Sequence, residues 1–451
     1  MNNKSKYEKP ILMRLQSGFM NKFGGSHIYP QFICKEMENH SIDELISDFG
    51  SPLFVFSESQ LRHKFRTFYQ AFSSRYPNIQ PAWSYKTNYL KAICAIMHQE
   101  GSWAEVVSEF EYEKAKKLGV KPESIIFNGP HKPEAILKKA VIEGAIVNID
   151  NLEELILLEK ISIEIGKKIK VGMRINMDTG IYPHWSKFGF NLDNHQALNA
   201  VRRMSVGGKV ILNGLHCHMG TFILKPEAYA EQVTKMVRFA YEIEEKFDFK
   251  IDYFDLGGGF PSKNSLKSVY LPPDIAIPNI DIYAEKITEA LYNELKKDDF
   301  PKIFLESGRA IIDESGSLIT TVFASKRLPD GRKAYFVDAG VNILFTAYWY
   351  NFNVKIDREI SSMNEPSAIY GPLCMNIDVV RESIMLPPLE IGSRLIISPV
   401  GAYNITQSMQ FIEYRPNVIL LTEKGTKEII REKEGLEDIE RRERLPEHLI
   451  I

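Results

Sequence analysis

The sequence carries little that would tie it to a membrane, a nucleic acid or an oxidising compartment. Its four cysteines, Cys34, Cys94, Cys217 and Cys374, lie far apart and form no CxxC pair. That spacing speaks against a disulfide framework or a structural zinc site and fits a reducing cytoplasm, where we expect the protein to reside. No run approaches the roughly 20 apolar residues of a membrane helix. The first residues, MNNKSKYEKPILMRLQSGFM, lack the apolar core and the cleavage site of a signal peptide. Lysine and arginine nearly balance aspartate and glutamate, 56 against 58, and no basic stripe stands out. Neither nucleic acid nor an anionic membrane is therefore expected as a partner. Internal repeats and low-complexity tracts are also missing.

What is present is the profile of a globular protein of more than one domain. Hydrophobic residues make up 44% and charged residues 25% of the 451 residues, enough chain for two or three cores. From LFVF at 53–56 to KIFLES at 302–307, short apolar runs alternate with amphipathic stretches. PAWSY, AEVV, SIIFNG, AIVNI, KVGMRIN, ILNGLHCH, FDLGGG and KIFLES are the strand candidates. The intervening NYLKAICAIMHQEG and NLEELILLEKISIEIG have helical spacing. About eight strand–helix units in about 250 residues suit a parallel (β/α)8 barrel of the TIM type, because each parallel connection needs a crossing helix. After about residue 312 the texture changes. TTVFASKRL, KAYFVDAG, SAIYGPLC, SRLIISPVGAY and NVILLTEKG read as a mainly antiparallel β domain. The charged C-terminal stretch KEIIREKEGLEDIERRERLPEHLII reads as a solvated helix or tail. The expected division is a barrel at 57–312, with a β domain built from 313–451 and the N-terminal 1–56.

Four short motifs fall where barrel strands should end, the face on which such barrels carry their chemistry. Ser84-Tyr85-Lys86-Thr87-Asn88 offers a lysine, which alone is most often a surface charge. His216-Cys217-His218-Met219-Gly220-Thr221 places two histidines on one side of a strand, a spacing open to metal ligation, although no third ligand is evident. Asp255-Leu256-Gly257-Gly258-Gly259-Phe260 lets backbone N–H groups approach an anion, though glycine runs also make plain turns. Glu306-Ser307-Gly308-Arg309 sets an acid and a base on one turn, most often a surface ion pair. Together the four offer more. A pyridoxal-phosphate site needs a lysine for a Schiff base, a carboxylate to keep the pyridine nitrogen protonated, an aromatic face and a phosphate cup with a cation.

With these motifs in hand, the chain resembles the fold-type III pyridoxal-phosphate decarboxylases, the ornithine, arginine and diaminopimelate decarboxylase group, and most of all its diaminopimelate branch. The resemblance runs from SPLFVF at 51 to RERLPEH near 442. It rests on SYKTN, EVVSEFE, IIFNGPHK, the Ser186-Lys187-Phe188-Gly189 run, GLHCHMGT, DLGGGFP, ESGR, VDAGVN, GPLC and GAY, in the family's order. It implies an alanine-racemase-like barrel with a β domain, pyridoxal 5'-phosphate as cofactor, and decarboxylation of an amino acid. Carried over residue by residue, Lys86 is the Schiff-base lysine and His218 stacks on the pyridine ring. Thr221, Gly257, Gly258 and Gly259 hold the phosphate, and Glu306 pairs with the pyridine nitrogen on the turn that continues through Ser307 and Gly308. Arg309 meets the phosphate or the substrate, Tyr403 closes the phosphate site, and Tyr350 contacts the substrate. Cys374 matches the cysteine that reprotonates the carbanion from the neighbouring subunit, so a homodimer with shared sites is implied. No metal is.

The substrate-tail half departs from the family's pattern. The residue after the cysteine is Met375 in place of a glutamate, and the next two are Asn376 and Ile377, while Asp378 is kept. Thr346 stands where the family has an arginine for the distal carboxylate, and Ser307 replaces a proline. Thr346, Met375, Asp378 and Tyr350 are therefore the expected specificity positions. The expected substrate is an amino acid or amino-acid conjugate, free or carrier-tethered, other than meso-diaminopimelate. Three alternatives stand beside this: diaminopimelate decarboxylase proper, a catalytically dead regulatory homologue, and an amino-acid racemase.

Overall fold

The computed structural model describes residues 32–450 except Ser268 and Tyr270. Residues 1–31, which bear on the expected N-terminal contribution and on the absence of a signal peptide, lie outside the described residues.

Eight strands close a barrel: β1 (Ile79–Ser84), β2 (Trp103–Val106), β3 (Ile125–Phe127), β4 (Ile146–Ile149), β5 (Ile169–Asn176), β6 (Val210–His216), β7 (Tyr253–Asp255) and β8 (Lys302–Leu305). Each pairs in parallel with the next, and β8 pairs with β1. These are the eight runs read as strands from the sequence. Their apolar faces are covered by crossing helices, as a parallel sheet requires. Leu152–Ile165 shows how a crossing is made. Asn151 caps it by accepting from the Glu154 backbone N–H, Leu155, Leu158 and Ile161 turn inward at helical spacing, and Gly166 ends it in the left-handed conformation.

The barrel floor is sealed by one large ring. Tyr253 packs with Ala82, Ile126 and Phe304, and it fits only because β6 carries a glycine opposite. A Cβ on Gly214 would lie 1.9 Å from the Tyr253 Cζ. The Tyr253 hydroxyl donates to Asn148 Oδ1 at 2.9 Å, so the apolar floor gives way there to the polar interior that faces the barrel's C-terminal end.

The second domain is a mixed sheet. Its central strand, Gly316–Arg327, pairs antiparallel with Leu53–Ser57, Lys333–Val337 and Arg394–Ser398. Two pairings run parallel, Lys333–Val337 with Glu365–Tyr370 and Leu53–Ser57 with Val418–Leu421, so the sheet is less uniformly antiparallel than expected. The N-terminal strand Leu53–Ser57 is buried along its whole length in this sheet. Two strands escaped the sequence reading. Asn353–Ile356 is only four residues long, and Val379–Leu386 carries Arg381, Glu382 and Ser383 at its centre, which breaks the apolar alternation. The C-terminal stretch is also corrected. Lys427–Arg431 forms a strand against Val418–Leu421, and the helical parts, Leu436–Glu440 and the single turn Glu447–Leu449, are short and unburied. No helix among the described residues is long and apolar enough to cross a membrane.

The fit of Tyr253 over Gly214 yields a first expectation. Gly214→Ala overpacks the floor and should lower unfolding stability by about 1–3 kcal/mol, read as a lower urea midpoint of the cofactor-free protein. An unchanged midpoint would show that the floor yields freely.

Candidate active site

The C-terminal ends of the barrel strands converge on a cavity of about 420 Å3 lined by Lys86, Trp185, His218, Thr221, Glu306 and Arg309, with Thr346, Tyr350 and Tyr403 from the second domain. Lys86 sits two residues beyond β1 on a turn fixed from both domains. Trp83 Nε1 donates back to the Asn88 carbonyl at 3.2 Å. Tyr403 N donates to the Thr87 carbonyl at 2.9 Å, and Thr406 Oγ1 to the Lys86 carbonyl at 2.8 Å.

The Lys86 Nζ donates to both oxygens of Glu105, at 2.8 and 2.7 Å. Glu105 stands on β2, is fully buried, and also accepts from Ser84 Oγ at 2.5 Å and Asn128 Nδ2 at 3.1 Å. Burial alone would push the Lys86 amine down. The Glu105 and Glu306 carboxylates outweigh it and hold its ammonium above the ordinary lysine value. Glu105 was missed from the sequence, where it is one acid among 58. The signal available was its place at the inward end of a short strand, where a charge demands a partner.

Glu306 follows β8 and is buried, accepting a short hydrogen bond from Asn128 Nδ2. His216 Nε2 and His218 Nδ1 lie 3.7 and 4.0 Å from its Oε2. Burial pushes the Glu306 carboxyl up. Neighbouring His216, the Lys86 ammonium and a hydrogen bond from Asp255 together outweigh that and hold it well below the usual carboxylate range. His218 is driven well below its ordinary value, first by burial and then by the Lys86 and Arg174 charges. Its Nδ1 accepts from the Gly258 backbone N–H at 2.9 Å, which leaves a neutral ring with Nε2 as the donor. Trp185 stands 5.7 Å from that ring, centroid to centroid.

The glycine run does two jobs. Gly257 and Gly258 pack under His218 and Glu306, where a Cβ on Gly258 would lie 2.4 Å from the Glu306 carbonyl oxygen. Gly259 faces the cavity. Arg309 lies among three rings, with its Cζ 4.8 Å from Tyr403, 5.2 Å from Tyr350 and 5.8 Å from Phe222. Three buried polar atoms around this cradle, Thr87 Oγ1, Ser307 Oγ and Arg309 Nη1, have no hydrogen-bond partner within the protein. Thr87 and Arg309 stand on the cavity wall, Ser307 lies on the same turn as Arg309, and Arg309 Nη1 has Asp313 Oδ2 at 4.0 Å; unmet donors so placed suit an anionic ligand with several acceptor oxygens.

Not every expected residue meets at the cavity. Thr346 lines it, but its hydroxyl is committed to Asn404 Oδ1 at 3.0 Å. Cys374 is exposed and stands outside the cavity of its own chain. Met375 packs half-buried against the core and is not on the cavity wall. Asp378 clamps the loop instead, accepting from the Val341 and Leu373 backbone N–H groups at 2.8 and 2.7 Å.

Comparison with known proteins points one way. Residues 58–313 match the family model described as pyridoxal-dependent decarboxylase, pyridoxal binding domain. The chain is 29% identical over 428 residues to the diaminopimelate decarboxylase of Archaeoglobus fulgidus, covering 92% of this chain and 98% of that one. It is 30% identical over 415 residues to the diaminopimelate decarboxylase of Aquifex aeolicus, covering 89% and 94%. Among solved structures, the Methanocaldococcus jannaschii diaminopimelate decarboxylase in complex with L-lysine superposes with a TM-score of 0.83 at 27% identity, over 92% of this chain and 97% of that one.

The ion pair with Glu105 yields the expectation for this site. A carboxylate beside Lys86 favours its charged form, and a neutral amide of the same shape does not. Glu105→Gln should therefore move the pH of half-modification of Lys86 by an amine reagent, in cofactor-free protein, downward by about 1–3 units. An unmoved value would mean that Glu105 does not govern the amine.

Proposed function

Because the chain belongs to the pyridoxal-dependent decarboxylases, amino-acid lyases with pyridoxal 5'-phosphate as cofactor, we propose that it carries the cofactor on Lys86 and decarboxylates an α-amino acid in a site completed by a second copy. The observation that carries this is the pairing of Lys86, at the cavity wall, with the fully buried Glu105, beside an ionised Glu306 and the unmet donors of Thr87, Ser307 and Arg309.

The residues present fit the cofactor. The orphan atoms of Thr87, Ser307 and Arg309, with Gly259, Thr221 and Tyr403, would hold its phosphate, and the neutral His218 would lie against its ring. When bound, the cofactor supplies an electron sink for the pair left behind as carbon dioxide departs. Glu306 would keep a proton at the ring nitrogen, for which its low carboxyl value suits it. Glu105 holds the Lys86 ammonium whenever the amine is free. Trp185, Phe222 and Tyr350 wall the cavity with rings, whose apolar faces lower the polarity around the charge contacts within.

The proton returned to the substrate carbon needs a donor. Cys374 fits that role in chemistry, yet its exposed position outside its own cavity leaves it to serve a partner's site. A homodimer follows, with Cys374 of one chain entering the cavity of the other. Mixing inactive Lys86→Ala and Cys374→Ala chains should then restore up to about a quarter of wild-type activity, by random pairing across a two-fold. Absence of activity despite shown subunit exchange would confine the site to one chain.

For the substrate tail, the relatives favour diaminopimelate over the different tail expected from the sequence, since the similar proteins named above are diaminopimelate decarboxylases. A second reading, an amino acid with another tail, has one observation behind it. The Thr346 hydroxyl is spent on Asn404, and Arg309 is the only arginine on the cavity wall among the described residues. The kcat/KM for meso-diaminopimelate separates the two. A value of about 10⁴ M⁻¹s⁻¹ or above supports diaminopimelate. A value about 10²–10⁴-fold below that, the cost of two lost hydrogen bonds to charged groups, supports the other tail.

A further inference from the structure

Beside Glu306 stands a buried acid that the mechanism leaves unused. Asp255 ends β7, is fully buried, and stands with His216 and Glu306 in a group whose nitrogen and oxygen atoms all lie within 4.8 Å of one another. The charged and titratable groups around it come from neighbouring strand ends: Glu306 from β8, His216, Cys217 and His218 from β6, Lys86 beyond β1, Glu105 from β2 and Arg174 from β5. Tyr253 lies below on its own strand. The two carboxylates nearest the cavity are provided for. Glu105 takes the Lys86 ammonium, Ser84 and Asn128, and Glu306 takes Asn128 within reach of Lys86's field. Asp255 has the Gly257 N–H at 3.0 Å on Oδ1 and a long contact from Asn148 Nδ2 at 3.4 Å on Oδ2. No lysine or arginine lies within ion-pairing distance of it among the described residues.

We infer that Asp255 is a positioning residue that carries a proton and donates it as a hydrogen bond to Glu306, fixing that carboxylate in its ionised form beneath the cofactor site. A buried carboxyl with no cation and a second carboxyl beside it cannot stay charged at little cost, so one of the two takes a proton. The choice falls on Asp255, because His216 stands 3.7 Å from Glu306 Oε2, Lys86 adds its positive field there, and Asn128 donates to Glu306 Oε1. Titration directions agree. Asp255 is driven well above its ordinary value, first by burial and then by Glu306, while Glu306 is held low. The Asn128 amide is held with its N–H toward Glu306 Oε1, so it does not serve Glu306 Oε2. Asn148 Nδ2 donates to Asn128 Oδ1 at 2.9 Å, and Asn148 is itself oriented by the Tyr253 hydroxyl. The inference deepens the assignment of Glu306 to the cofactor ring nitrogen and rests on it.

Asp255→Asn, an amide of the same shape that keeps a donor toward Glu306, should hold cofactor affinity and kcat within about 3-fold of wild type. Asp255→Ala should weaken cofactor affinity by about 10–100-fold, the scale of one hydrogen bond to a charged group. A spectroscopic signature completes the test. At about pH 9, above the value near 7 to which burial lifts the neighbouring Glu111, the infrared C=O stretch of a protonated acid should be present in cofactor-free wild type. It should vanish in Asp255→Asn. No difference band, or an Asp255→Asn variant as impaired as Asp255→Ala, overturns the inference. Glu306→Gln serves as the control. Unchanged cofactor affinity there would remove the assignment of Glu306, and the inference with it, whatever the infrared result.

Discussion

The constraint from which the site follows is the burial of three carboxyl groups at the end of a barrel, with one ammonium at the cavity wall to meet them. An unpaired charge in such a place costs several kcal/mol, so each group must find its counterpart within the strand ends. Lys86 finds Glu105 through both oxygens. Glu306 finds Asn128 and the field of Lys86. The consequence is a lysine that is fixed in place and a carboxylate kept negative, two requirements of chemistry at a pyridine ring.

That arrangement depends on both domains. The turn bearing Lys86 is closed from outside the barrel by Tyr403 and Thr406, which bind the carbonyls of Thr87 and Lys86. Tyr403 has a φ of +67°, a left-handed conformation that a non-glycine residue adopts only where its surroundings impose it. Its ring in turn lies against Arg309. The β domain is therefore a structural part of the cavity proposed to hold the cofactor, and the chain passes through it in the strand Leu53–Ser57 before the barrel begins.

Most of the fold was legible because parallel strands buried on both faces read as apolar runs of four to eight residues. Six of the eight barrel strands have such lengths, and β3 and β7 are three residues long. Val379–Leu386, with a charged centre, and Lys427–Arg431, within a highly charged stretch, gave no such pattern and owe their strand conformation to neighbours. At the site, Lys86, His218, Glu306, Arg309 and Tyr403 stand together as the motif order implied. Glu105 and Asn128 fall within the EVVSEFE and IIFNGPHK motifs, yet their roles, like that of Asn148, come from meeting across the barrel, which a motif does not show. Asp378 keeps the family's identity yet is spent on backbone N–H groups, which spacing along the chain cannot reveal.

The claim on which everything else rests is that Lys86 holds the cofactor. Borohydride reduction of the holoenzyme, followed by peptide mapping, tests it directly. The account predicts that the reduced pyridoxyl group is found on the peptide containing Ser84-Tyr85-Lys86-Thr87-Asn88 and is lost in Lys86→Ala. Recovery of the label on another lysine, or no label in a cofactor-saturated enzyme, would contradict it.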